Sequence, residues 1–147
     1  MLTYFDSSVL VSMLVGDSLS ATATELLARY PRRASSRLLE IEAVTAIRRA
    51  HRAAPERFSL AWVDDTRRLL SELLRATLVR EMDAGLLAEV RRNDALGACR
   101  SLDAIHVATA TLFASVDPEL LVCTLDQRMR QACHAVGLPV ADLPAGA

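Results

Sequence analysis

Lysine is absent: all 17 basic residues of the 147-residue chain are arginine. Chemistry that needs an ammonium is excluded with it, namely Schiff-base formation, the phosphate-loop lysine and the lysine of receiver-type phospho-acceptor sites. Aromatics are scarce, at 4% of residues, and there are 3 cysteines, an odd number with no C-x-x-C pair. Cys99, Cys123 and Cys133 each stand beside apolar neighbours and are expected as reduced core residues. No apolar run approaches the ~18 residues of a membrane span, and the start Met1-Leu2-Thr3-Tyr4-Phe5-Asp6 has no basic flank, so a soluble, cytoplasmic protein is expected. The net charge is −1, from 18 acids against 17 bases. That balance excludes a basic coat for nucleic acid.

What is present is 52% hydrophobic sequence, enough for one domain spanning 1–147 with a frayed tail over Asp142–Ala147. Leu2-Thr3-Tyr4-Phe5 and Leu120-Leu121-Val122-Cys123-Thr124 read as buried parallel strands. Between them, helical patterns cover about Ser8–Val15, Ser20–Tyr30, Leu38–Arg52, Phe58–Leu74, Ala84–Asn93 and Leu102–Ala114. Arg33-Ala34-Ser35, Thr77-Leu78-Val79-Arg80 and, after a helix stop at Gly137, Leu138-Pro139-Val140-Ala141 are candidate short strands. Helices that follow strands favour a three-layer α/β/α sandwich around a mainly parallel sheet of four or five strands.

In such sheets ligands collect beyond the carboxyl ends of the strands, where Asp6 and Asp126 stand. Both positions also suit helix capping: Asp6 as the N-cap of the Ser8 helix, and Asp126 in the first turn after a Thr124 cap. Asp103 opens the segment Arg100-Ser101-Leu102-Asp103-Ala104-Ile105-His106-Val107-Ala108, with Ser101 as a candidate cap, and borders the stripe Leu102, Ile105, Ala108 and Leu112. On the Leu38–Arg52 helix, Glu40 and Glu42 both touch apolar positions at helical spacing, and periodicity does not choose between them. Converging carboxylates repel unless a cation stands among them. All the candidate ligands are oxygens, and no His or Cys pair has zinc spacing, so Mg²⁺ or Mn²⁺ is expected, with metal-activated water attacking a phosphodiester.

Asp6 after the first strand, Ser36 six residues before Glu42, the run Arg100-Ser101-Leu102-Asp103-Ala104-Ile105-His106-Val107-Ala108-Thr109-Ala110, and Thr124-Leu125-Asp126 followed by Gly137 together resemble a PIN-domain ribonuclease of the VapC toxin type. The resemblance covers nearly the whole chain. It implies a metal-dependent endoribonuclease of a toxin–antitoxin pair, acting on transfer, ribosomal or messenger RNA. By position it implies Asp6 and Asp103 as metal ligands and Glu42 as the helix-borne acid. Asp126 is the fourth acid, orienting water or holding a second metal. Ser7 and Thr124 are implied as hydroxyls steadying Asp6 and Asp126. A homodimer and a VapB-like antitoxin that blocks the pocket are implied partners. His106 belongs to the motif as a hydrogen-bonded histidine beside the core, while His51 and His134 have no evident partners.

A near-neutral chain must grip RNA locally. Arg48, Arg49 and Arg52 fall on neighbouring turns of the Glu42 helix, and Arg128 and Arg130 follow Asp126, which makes them candidate phosphate contacts as well as ordinary solvated faces. Trp62 is expected in the core or on a dimer surface. The competing reading is a non-catalytic PIN-like module that only binds protein, and the retention of all four acids favours the enzyme. A receiver domain fails on its missing lysine. A haloacid-dehalogenase-type phosphatase fails on Ser8, where a second Asp is required.

Overall fold

A computed structural model describes residues 1–144. Four short strands, β1 (Thr3–Phe5), β2 (Arg33–Ser36), β3 (Thr77–Arg80) and β4 (Leu121–Cys123), form one sheet in the order β3-β2-β1-β4. Every pairing is parallel. Among the described residues, seven α-helices surround the sheet: α1 (Ser7–Val15), α2 (Ser20–Arg29), α3 (Leu38–Ala53), α4 (Leu60–Arg75), α5 (Ala84–Arg92), α6 (Ser101–Ala114) and α7 (Gln127–Ala135). A 3-10 turn at Asp94–Ala98, which the sequence reading lacks, connects α5 to α6.

The alternation of side chains along a strand divides the core in two. Tyr4, Ala34 and Val122 face a cluster built with Leu86, Val107, Ala108, Met129 and Cys133 of α5, α6 and α7. Phe5 and Cys123 face the opposite cluster, with Val9, Leu26, Leu39, Ile47 and Val63 of α1 to α4. This is the expected three-layer sandwich. Trp62 packs against the second cluster and lies 4.6 Å, ring to ring, from Phe58.

Several boundaries shift for identifiable reasons. The Phe58 helix begins at Leu60 because the Ser59 side chain accepts from the Trp62 amide and caps it. Leu138–Ala141 does not extend the sheet as a strand: only Val140 bridges Val122, beyond the turn at Gly137, whose φ of 75° lies in the left-handed region. Ser101 is the first residue of α6 and does not cap it; Arg100 occupies the cap position with no side-chain bond. Leu102 is 48% exposed, so the stripe expected on α6 is displaced toward Ala104, Val107 and Ala108. In the tail, Leu143 packs against the second core cluster and is not frayed, while residues 145–147 lie outside the described residues.

Cys123 and Cys133 are buried and Cys99 is half-buried, all three free thiols. Burial pushes the Cys123 and Cys133 thiols up to about 12, which leaves them protonated and inert at neutral pH. Among the described residues no helix is long and apolar enough to cross a membrane.

Candidate active site

The chain leaves β1, adds β2 and β3 on one side, and returns to place β4 on the other. The switch in direction falls at β1 and β4, and the crevice outside their carboxyl ends is where an open parallel sheet binds ligand. Asp6 follows β1 there, and Thr124 and Asp126 follow β4.

Asp6 is 5% exposed and caps α1. Its Oδ1 accepts from the Ser8 amide at 3.1 Å and from the Ser8 hydroxyl at 2.6 Å, and its Oδ2 accepts from the Thr124 hydroxyl at 2.7 Å. The Ser8 hydroxyl also accepts from the Leu125 amide at 2.9 Å, tying the loop after β4 to the start of α1. The serine hydroxyl that bonds Asp6 is therefore that of Ser8 and not of the expected Ser7, with the Thr124 hydroxyl on the other oxygen. An N-cap acid reaches the amide two residues on, so the capping geometry itself picks out Ser8. Ser7 instead lines the same cleft as Glu42. Thr124 serves both acids: its oxygen accepts from the Asp126 amide at 3.0 Å while its hydrogen goes to Asp6.

Asp126 is itself the N-cap of α7, accepting from the Arg128 amide at 2.7 Å, and Thr124 is not that cap. Asp103 stands in the first turn of α6, half-buried. Burial and the Asp126 charge push its carboxyl up, and Arg100 and Arg128 offset part of that rise. Burial likewise raises Asp6, against the pull of its hydroxyl partners Ser8 and Thr124. Geometry separates the two glutamates. Glu40 pairs with Arg37 on the outside of α3 at 2.7 Å, whereas Glu42 turns inward and binds His106 Nε2 through Oε2 at 2.9 Å. Its hydrogen bond to His106 holds Glu42 below the usual carboxylate range despite its burial.

His106 is buried at 3% and hydrogen-bonded on both ring nitrogens, as the motif implied, the second partner being the Tyr4 hydroxyl at 2.8 Å. Sequence reasoning left Tyr4 among core residues. Its polar end becomes visible only when β1 and α6 are brought together. His51 does have a partner, the Phe58 carbonyl at 2.6 Å.

Two clefts of about 440 Å³ flank the acids. One is lined by Ser7, Ser8, Ile41, Glu42 and Arg49, the other by Cys99, Arg100, Asp103, Arg128 and Gln131. Arg48 and Arg52 are exposed farther along α3. Arg130 departs from its expected role: its guanidinium donates to the Ala141 carbonyl at 2.9 Å and pins the C-terminal segment. A cleft of about 680 Å³ between α5 and α6 is mainly apolar and contains none of the four acids.

As placed, no three His, Cys, Asp or Glu side chains among the described residues stand close enough together to hold a metal ion. The donor chemistry nevertheless suits a hard divalent cation. Asp6 and Asp103 are oxygen donors raised by burial, Asp126 adds repulsion at Asp103, and a bound cation would relieve both strains.

The PIN-domain family model matches residues 3–135. Ribonuclease VapC45 of Mycobacterium tuberculosis is 34% identical over 146 residues, covering 95% of this chain and 94% of that protein. Among solved structures, a toxin-antitoxin complex from Klebsiella pneumoniae has the same fold, with a TM-score of 0.63 at 20% identity over 95% of this chain and 96% of that one. VapBC2 from Rickettsia felis, solved bound to a DNA fragment from its promoter, gives a TM-score of 0.62 at 11% identity, covering 98% and 100% of the two chains. The chain belongs to the PIN-domain family and, within it, to the VapC type.

Proposed function

We propose that this protein is a Mg²⁺- or Mn²⁺-dependent endoribonuclease, the toxin of a toxin–antitoxin pair. The observation that supports the reading best is the pairing of Asp6 and Asp126 at the switch point, with Asp103 and Glu42 on the two clefts beside it. Thr124 joins Asp6 to Asp126, the Asp126 charge acts on Asp103, and His106 binds Glu42. Its kinship to VapC45, which is named a ribonuclease, supports the same chemistry.

Asp6 and Asp103 are the residues that would hold the ion, with Glu42 and Asp126 completing the acidic wall. A divalent ion at such a site supplies charge neutralisation at the phosphoryl oxygens and a water of lowered pKa. The protein's own part is orientation. Ser8 and Thr124 aim both oxygens of Asp6, and the α7 amides hold one oxygen of Asp126. Arg49 and Arg128, one in each flanking cleft, are placed to take phosphates on either side of the cut. A VapB-like antitoxin, in line with the toxin–antitoxin complexes that share the fold, and a second copy of the chain are the proposed protein partners.

Cleavage of structured RNA should require Mg²⁺ or Mn²⁺ and stop in EDTA. Asp6→Asn and Asp103→Asn should each lower the rate by about a hundredfold or more, since losing even a residue that supports a metal ligand costs about tenfold to a hundredfold. Glu42→Gln should impair cleavage and Glu40→Gln should not. An unaltered rate in EDTA and in both Asp variants would overturn the reading, and a dead Glu40→Gln beside an active Glu42→Gln would reverse the glutamate assignment. Sequencing the 5′ ends generated after brief expression identifies the RNA target.

A further inference from the structure

Glu42 is held from behind by a buried chain drawn from three elements. Tyr4, in β1, is fully buried, and its Oη lies 2.8 Å from Nδ1 of His106 in α6. The two rings meet edge to face, with centroids 6.0 Å apart and planes at 73°. On the other side of the imidazole, Nε2 lies 2.9 Å from Oε2 of Glu42 in α3. The His106 side chain is 4% exposed and that of Glu42 is 24% exposed, so the chain runs from the core to the rim of the cleft containing Ser7 and Arg49.

Donor and acceptor chemistry orders this chain. An ionised carboxylate only accepts, so the hydrogen in the Nε2 to Oε2 bond belongs to the ring. In a neutral imidazole with its hydrogen on Nε2, Nδ1 is an acceptor, and the phenol of Tyr4 is the donor that faces it. A phenol, with an ordinary pKa of about 10, carries its proton at neutral pH. The opposite tautomer would turn a lone pair on Nε2 toward the carboxylate and leave Nδ1–H facing the phenol. The Glu42 carboxylate, accepting from Nε2–H, and the Tyr4 hydroxyl, donating to Nδ1, therefore suit the same tautomer.

We propose that Tyr4 and His106 are positioning residues for Glu42: the chain Oη–H to Nδ1 and Nε2–H to Oε2 fixes the His106 tautomer and, through it, the orientation of the Glu42 carboxylate in the cleft. The inference rests on the reading of Glu42 as an active-site acid. A glutamate on a helix surface samples several rotamers, and binding it to a ring locked in the core settles that orientation at folding, before substrate arrives. A purely structural role would need the same burial but no particular tautomer.

Imidazole ¹⁵N shifts of His106, recorded on the full chain in EDTA at about pH 7, test the chain without any catalysis. The expected result is an unprotonated Nδ1 and a protonated Nε2 in wild type, and a mixed tautomer in Tyr4→Phe. For cleavage, Tyr4→Phe should lower kcat by about tenfold to a hundredfold, as supporting hydrogen bonds around sites do, with KM within about twofold. His106→Gln, whose amide presents both a donor and an acceptor, should retain about tenfold more kcat than His106→Leu. A protonated Nδ1 in wild type, or folded Tyr4→Phe and His106→Leu proteins with wild-type kcat, would overturn the proposal. A wild-type protein that cuts no RNA counts against the ribonuclease reading instead, and the ring shifts still decide the tautomer.

Discussion

Asp103 shows what an acid at the edge of a buried face costs before a cation reaches it. Burial comes first among the causes that raise its carboxyl, and the Asp126 charge second. A carboxyl raised in the fold binds its proton more tightly there than in the unfolded chain. Its contribution to stability is therefore full below the ordinary carboxylate pKa of about 4 and is lost as pH rises through the raised value. Asp103→Asn removes that loss. In EDTA, the melting temperature of the variant relative to wild type should increase between about pH 4 and about pH 7, the opposite of what removing a stabilising ion pair would give. Thermal melts across that range check it, and a difference that stays constant or shrinks would show that Asp103 is not under repulsion. At this scale the sequence is informative about residue type and poor about direction. Asp6, Asp103 and Asp126 stand out by position alone, but Glu40 and Glu42 separate only through Arg37 and His106, partners that periodicity along one helix does not contain. Tyr4 is invisible as a site residue for the same reason, being 102 positions from the ring it faces.

At the scale of elements, the capping and the catalytic readings of the same acids turn out to be compatible. Asp6 and Asp126 each begin a helix directly after a strand, and each accepts from a backbone amide of the helix it caps while standing at the switch point. The two roles separate by substitution at Asp126. Asparagine caps about as well as aspartate, whereas alanine forfeits the cap at about 1 kcal/mol. Asp126→Asn should keep wild-type stability and lose cleavage rate, and Asp126→Ala should lose both. Denaturant unfolding alongside an RNA cleavage assay measures the pair, and wild-type cleavage by Asp126→Asn would reduce Asp126 to a cap. The legibility of the elements follows the same logic. The strands before Asp6 and Asp126 and the helix stop at Gly137 are written locally, in apolar runs and one left-handed glycine. The fate of Leu138–Ala141 is not local. Whether it forms a strand depends on pairing beside β4, and there only Val140 bridges.

For the whole molecule, the charge balance first excludes a nucleic-acid coat and then asks how RNA is held at all. The structure divides the candidate arginines by what they already do. Arg130 is committed to the Ala141 carbonyl, whereas Arg49 and Arg128 are exposed side chains on the walls of the two clefts that flank the acids. Each arginine that neutralises a phosphate of single-stranded RNA releases condensed counterions and adds about 0.7 to the slope of log affinity against log salt. A protein with no overall positive field should therefore show a shallow slope set by a few contacts, and replacing both cleft arginines should remove about 1.4 from it. RNA binding measured in EDTA, so that no cutting occurs, is expected to show that drop for Arg49→Gln with Arg128→Gln. The same measurement should leave the slope unchanged for Arg130→Gln, whose loss loosens the C-terminal segment without touching phosphate. A slope that survives the double replacement would move the RNA path away from both clefts. It would then direct attention to Arg48 and Arg52, exposed farther along α3.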